Sequence, residues 1–220
     1  MTKSRWSSDL HWRRTGQQSR SERTQEALLD AAEALILEKG TEASSIAEIA
    51  ARAGFSVGAV YHHFKDKKAV HLALFHRMTE AYARLNREAA DPARWQGATV
   101  RDLFRGYIEI TLTAAKTTGA AKAAVSAVIA DHPELAAHYA EIQAETRKAL
   151  QGLVLARRAE IGCADPETAA GFAIDTFAAL LRARVDPAQR AAALLSLDDA
   201  AFTDLAVQMV SDFLDLQPPA

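Results

Sequence analysis

Apolar residues recur along this chain at intervals of three and four, the spacing that gathers them on one face of an α-helix, and strict two-residue alternation is nearly absent. Leu28, Ala31, Ala32, Leu35 and Ile36 form one such face, and Gly40 stands where a helix commonly ends in the left-handed conformation, which predicts a first helix over 22–39. Ser45 to Glu48 has the spacing of a capping box, opening a short second helix that stops before Gly54. Ser56 can cap a third short helix running to His63. Asp66 can cap a fourth, whose stripe is Val70, Leu74, Met78, Ala81, Tyr82 and Leu85 and which Asp91-Pro92 terminates. Further helical stretches are expected near 98–117, 121–130, 133–160, 166–185 and 199–215, with His132-Pro133 and Asp165-Pro166 marking two of the starts. No hairpin signal separates alternating runs, and no internal repeat is visible. The predicted class is all-α: a three-helix helix-turn-helix head followed by a larger helical body.

Composition narrows the setting. With 220 residues, 49% of them hydrophobic, the chain has enough apolar material for a core without staples. Its single cysteine, Cys163, rules out an intrachain disulfide framework and suits a reducing compartment. No stretch is apolar and long enough for a signal peptide or a bilayer span, so a cytoplasmic protein is expected. The net charge of -2 is unevenly spread: residues 1–78 hold 12 Lys/Arg against 9 Asp/Glu, and the remainder 14 against 19. Five of the seven histidines also fall in the front segment. An anionic partner at that end fits this asymmetry, although uneven surface charge alone is common. Residues 1–20 are polar and basic without periodicity and are expected to form a flexible arm, either threading the minor groove of DNA or inert.

The stretch from Ile46 to Val60 carries the strongest functional signal. Two short helices flank one glycine; Ala50 offers the small side chain that a close helix crossing needs, and Gly54 can take positive φ in the turn. Ile49 and Val60 are spaced to pack beneath that turn. In such a unit the second helix enters the major groove with its N-terminal residues, here Ser56, Val57, Gly58 and Ala59, nearest the base edges. Directly after come interleaved aromatic and basic residues. Tyr61 and His62 can donate to phosphate oxygens, Lys65 and Lys67 offer point charges, and the start of the fourth helix offers free amides.

Thr24, Glu38-Lys39-Gly40, Ser45 to Ala50, Ala53 to Ser56, Gly58, Tyr61, His63-Phe64 and Lys67 together resemble the N-terminal domain of the TetR family of bacterial regulators. The resemblance covers roughly residues 22–72 and rests on several fixed spacings. It implies a helical body whose last two helices, 166–185 and 199–215, pair with those of a second copy. Phe172, Phe177, Leu180 and Leu181, then Phe202, Leu205, Met209, Phe213 and Leu214, supply more apolar surface than a one-sided helix needs, so either a partner or the monomer core covers them. Thr24 and Ser45 complete the candidate DNA contacts. Where many family members carry threonine after the glycine of the recognition helix, this chain has Ala59. The resulting domain assignment is a basic arm over 1–20, a DNA-binding head over 21–68, and a ligand-binding and dimerisation body over 69–220.

In the body, Tyr107, Thr111, Tyr139 and Asp175 are polar positions within apolar stretches; each either orients a ligand or is an ordinary core or surface group. His71 and His76 are five apart and share no helix face, and no carboxylate completes a ligand pattern, so neither a metal nor another cofactor is expected. The expected function is a regulator, most simply a repressor, that binds pseudo-palindromic operator DNA as a homodimer and is released by a small organic effector. Two other classes stay open. A small helical enzyme would need a catalytic pair that the sequence does not display, and a helical adaptor would offer its C-terminal helices to a different protein.

Overall fold

The computed structural model describes residues 20–217, which form nine α-helices and no β-sheet. α1 (Arg20–Ala43) is broken at Gly40, whose φ of 83° lies in the left-handed region, as the helix-end signal there predicts. α2 (Ile46–Ala53), α3 (Val57–His63) and α4 (Lys67–Ala90) follow. After a 3-10 turn at Pro92–Trp95 come α5 (Val100–Asp131) and α6 (Glu134–Leu155). A second 3-10 turn, Arg158–Glu160, precedes α7 (Pro166–Val185), α8 (Pro187–Ala191) and α9 (Asp199–Phe213). An isolated antiparallel bridge joins Ile161 to Leu216.

Caps account for most of these boundaries. The Asp66 carboxylate accepts from the Ala69 amide at 2.8 Å, Asp165 from Thr168 at 3.1 Å and Asp198 from Ala201 at 2.8 Å, each satisfying an amide that the helix itself cannot. Three expectations need correction. The stretches predicted at 98–117 and 121–130 form the single helix α5; a glycine inside a helix costs only about 1 kcal/mol, too little by itself to end one. The helix predicted over 133–160 ends at Leu155, where the chain tightens into a turn. Sequence reading also left 187–191 unassigned, where Asp186 caps α8 by accepting from the amides of Ala188 and Gln189.

The chain divides into two compact units. One holds described residues 20–84 and 117–142, the other 85–116 and 143–217. The unit bearing the helix-turn-helix therefore runs beyond residue 68 and takes in part of α4 and the end of α5. Its core joins Leu28, Ala32 and Leu35 of α1, Ile49 of α2, Val60 of α3 and Phe75 of α4. Arg77 on α4 reaches three carboxylates of α1: Glu26 at 3.2 Å, Asp30 at 2.7 Å and Glu33 at 2.7 Å. This fixes α4 along α1, and the three carboxylates hold the guanidinium charged despite its burial.

In the second unit, Phe104 of α5 meets Phe177 of α7 edge to face with centroids 4.8 Å apart, a favoured aromatic geometry. Trp95 is fully buried and donates its indole N–H to the Ala89 carbonyl at 2.6 Å. The Arg157 guanidinium donates to the carbonyls of Ala98, Leu153 and Trp95 at 2.6, 2.7 and 2.6 Å, pinning the turn after α4 to the end of α6.

Candidate nucleic-acid interface

The helix-turn-helix is built by local chemistry. The Ser45 hydroxyl accepts from the Glu48 amide at 3.3 Å, and the Glu48 carboxylate accepts from the Ser45 amide at 3.0 Å, a reciprocal capping box that starts α2. Lys39 pairs with the same carboxylate, and together Lys39 and the serine hold its pKa down to about 2. Arg52, at the other end of α2, grips Glu38 through both guanidinium nitrogens. Hydrogen bonds across the turn then close α2: Gly54 adopts φ 74°, ψ 28°, while Phe55 N–H reaches the Ala50 carbonyl at 2.9 Å. A Cβ on Gly54 would meet nothing within 4 Å, so conformation and not crowding calls for glycine.

Ser56 starts α3 by accepting from the Ala59 amide at 3.2 Å. The helix buries Val60 completely, alongside Ile49 in the same core cluster, as their spacing predicts. The opposite side is open: Val57 is 42% and Tyr61 55% exposed, and Ser56, Gly58 and His62 are exposed as well. Ala59 is half-buried. His63 packs against His62 and beside buried Phe64, which caps α3 with its amide.

The remaining candidate contacts separate into outward-facing and inward-committed groups. Lys65 is exposed. Lys67 is half-buried and donates to the main-chain carbonyl of Glu42 at 3.1 Å. Thr24 donates to the Arg20 carbonyl at 3.1 Å, one turn back on α1. Ser45 is exposed at the start of α2, where its hydroxyl also donates to Glu48. The basic arm up to residue 19 lies outside the described residues. Sequence reasoning missed the partner of His71: this buried imidazole faces His132, Nδ1 to Nε2, at 3.4 Å, and burial with the neighbouring imidazole and Lys67 pushes its pKa down. The two lie 61 positions apart, so no local pattern announces the pair.

The four candidate ligand contacts lie on α5, α6 and α7. Tyr107 is buried and stacks on Trp95 with ring centroids 5.9 Å apart, and Thr111 follows one turn along α5, half-buried. Asp175 is exposed on α7 and pairs with Arg147 at 3.2 Å. Tyr139 belongs to the other compact unit, near Tyr82. An open cleft of about 550 Å³ lies among Pro92, Trp95, Gly97, Ala149, Gly152 and Arg157, and none of the four lines it. On α7 and α9, Phe177, Leu181, Phe202 and Leu214 are buried, whereas Phe172, Leu205, Met209 and Phe213 are exposed. The rings of Phe172 and Phe213 stand 5.4 Å apart within that outward row.

These features define an all-helical protein with an N-terminal helix-turn-helix. Residues 28–74 match the model of bacterial regulatory proteins of the tetR family. A 44-residue stretch is 52% identical to the HTH-type transcriptional repressor BepR of Brucella suis, covering 20% of this chain and about a fifth (21%) of that protein. Likeness over the whole length is one of fold. NalD, the secondary repressor of the MexAB-OprM multidrug efflux pump in Pseudomonas aeruginosa, superimposes with a TM-score of 0.62 at 20% identity, over 88% of this chain and 98% of NalD. A regulatory protein of the tetR family from Rhodococcus RHA1 gives 0.65 at 20% identity, over 91% and 100%.

Proposed function

We propose that this protein is a transcriptional regulator, and specifically a repressor, that binds pseudo-palindromic operator DNA as a homodimer and is released by a small organic molecule. The observation that carries the reading is the outward row on α3: a seven-residue helix anchored from below by Val60 presents Val57, Gly58 and Tyr61 to solvent, on a segment of the tetR family. A helix held in that way can enter a major groove without unfolding its own core. Exposed Lys65 and His62 flank it and supply phosphate contacts. Residues 21–68 act as the DNA-binding head and 69–220 as the ligand-binding and dimerisation body.

The dimer follows from Phe172, Leu205, Met209 and Phe213, a cluster of exposed large apolar side chains that a second copy would bury by twofold symmetry. Tyr107, Thr111, Tyr139 and Asp175 serve as the effector contacts. An effector that favours a DNA-incompetent conformation by about 1–3 kcal/mol would release the operator. Repressor function agrees with BepR and NalD, both described as repressors. No described helix is long and apolar enough to cross a membrane, which is compatible with action on cytoplasmic DNA.

Selection of genomic fragments by the purified protein across a salt series tests this reading. Enrichment of a pseudo-palindromic fragment that weakens with salt supports it, and a Tyr61→Ala variant should lose that enrichment. A folded dimer that enriches no fragment, with or without small-molecule extracts, would overturn it.

A further inference from the structure

From Ser56 to His63 the sequence is Ser-Val-Gly-Ala-Val-Tyr-His-His, without arginine, lysine, asparagine, glutamine or an acid. The side chains that read guanine and adenine through paired hydrogen bonds are therefore missing from α3. Of the nearby cations, Lys39 and Arg52 are held by Glu48 and Glu38 and Lys67 by the Glu42 carbonyl, while exposed Lys65 lies beyond the end of α3. What α3 exposes first is Val57, a branched apolar side chain outside the core cluster, with Tyr61 four residues on along the same face.

Gly58 sits beside it. Its backbone is helical and not in the positive-φ region, and a Cβ there would meet only the Ser56 hydroxyl at 3.7 Å, an ordinary contact. Neither conformation nor packing inside the chain calls for glycine, which weakens a helix relative to alanine. A bare backbone next to an exposed valine, at the end of the helix nearest the groove floor, suits close approach to a partner surface.

We infer that direct base reading by this protein is apolar: Val57, brought close by the missing side chain at Gly58, packs against the 5-methyl group of a thymine in the major groove of each half-site. The inference rests on α3 being the DNA-reading helix. Thymine is the base that presents a methyl group there, and contact with it separates a T·A pair from the other three. Specificity at the remaining positions then falls to groove shape and deformability, read through the phosphate contacts.

The test is a uracil-for-thymine scan of the fragment recovered by selection, since uracil keeps every hydrogen-bonding group and lacks the methyl. At one symmetric position, uracil should weaken binding about fourfold per half-site, the factor that burial of one methyl group carries, and about 15-fold in both half-sites together. Val57→Ala, at an exposed helical position, should melt with the wild type, bind the thymine operator with the same deficit, and show no further loss at that uracil position. If every uracil operator binds like the thymine operator, or if Val57→Ala remains as sensitive to uracil as the wild type, apolar reading by Val57 is wrong while the regulator reading stands. If the protein selects no fragment, the regulator reading fails and the inference goes with it.

Discussion

The ammonium group of Lys67 donates to the main-chain carbonyl of Glu42 at 3.1 Å, tying the first residue of α4 to the end of α1 across the back of the helix-turn-helix. The cation that the sequence offers to DNA thus also holds the chain's own backbone. Lys67→Ala should destabilise the protein by about 1 kcal/mol, the usual worth of such a bond, seen as a lower urea midpoint. Lys65→Ala, two residues earlier and exposed, should leave the midpoint unchanged and reduce the slope of log affinity against log salt by about 1. The reverse assignment would show Lys67, not Lys65, as the phosphate contact.

Gly54 and Gly58 should respond in opposite directions. Gly54→Ala forces a Cβ into φ 74° and should cost about 1–2 kcal/mol, with Gly54→Asn milder, because asparagine tolerates the left-handed region. Gly58→Ala should raise stability by up to about 1 kcal/mol while lowering operator affinity, since the space the new methyl fills belongs to the DNA. Chemical denaturation and operator titration on the same preparations separate the two effects.

Much of this was readable from the sequence because it is local. Ser45, Ser56, Asp66 and Asp165 cap within three residues of themselves, and Gly54 sets its own φ, so α2, α3 and the start of α4 follow from short stretches of chain. Asp186-Pro187 carried the same kind of signal for α8 but heads only five residues, too few for a periodic pattern. Groups that meet across long separations were hidden. Arg77 reaches Glu33 over 44 positions and Arg157 reaches Trp95 over 62, and nothing in either neighbourhood names the partner. The candidate effector contacts carried no local signal of this kind: polar residues in apolar helices announce burial or exposure equally well, and Asp175 is exposed and paired with Arg147.

His71 gives the protein an acid-sensitive element. Its pKa is pushed below the ordinary histidine value, chiefly by burial, with His132 and Lys67 adding to the effect and Asp131 and Glu42 opposing it. As pH falls through 6.5, the unfolded chain takes up a proton that the folded one refuses, so stability declines from that point until the lowered folded-state value is reached. His71→Gln should flatten the part of the profile that begins as pH falls through 6.5. Melting temperatures of both proteins across that range check it, and parallel declines would contradict it.

Glu48 contributes a second acid limb at lower pH. Its carboxylate is held near pKa 2 by Lys39 and Ser45, so its stabilising effect is complete above the ordinary value of 4.5 and lost as pH drops from there toward 2. Glu48→Gln should blunt that loss specifically. Acid titrations followed by circular dichroism would show the two curves converging below pH 3 if the assignment holds.

Footprinting of the selected fragment tests the central claim most directly. The account predicts two protected half-sites with centres about one helical turn, or a whole multiple of it, apart, and protection that disappears with Tyr61→Ala at unchanged stability. Protection that survives alteration of the exposed face of α3, or its absence with the folded wild-type dimer, would contradict the account.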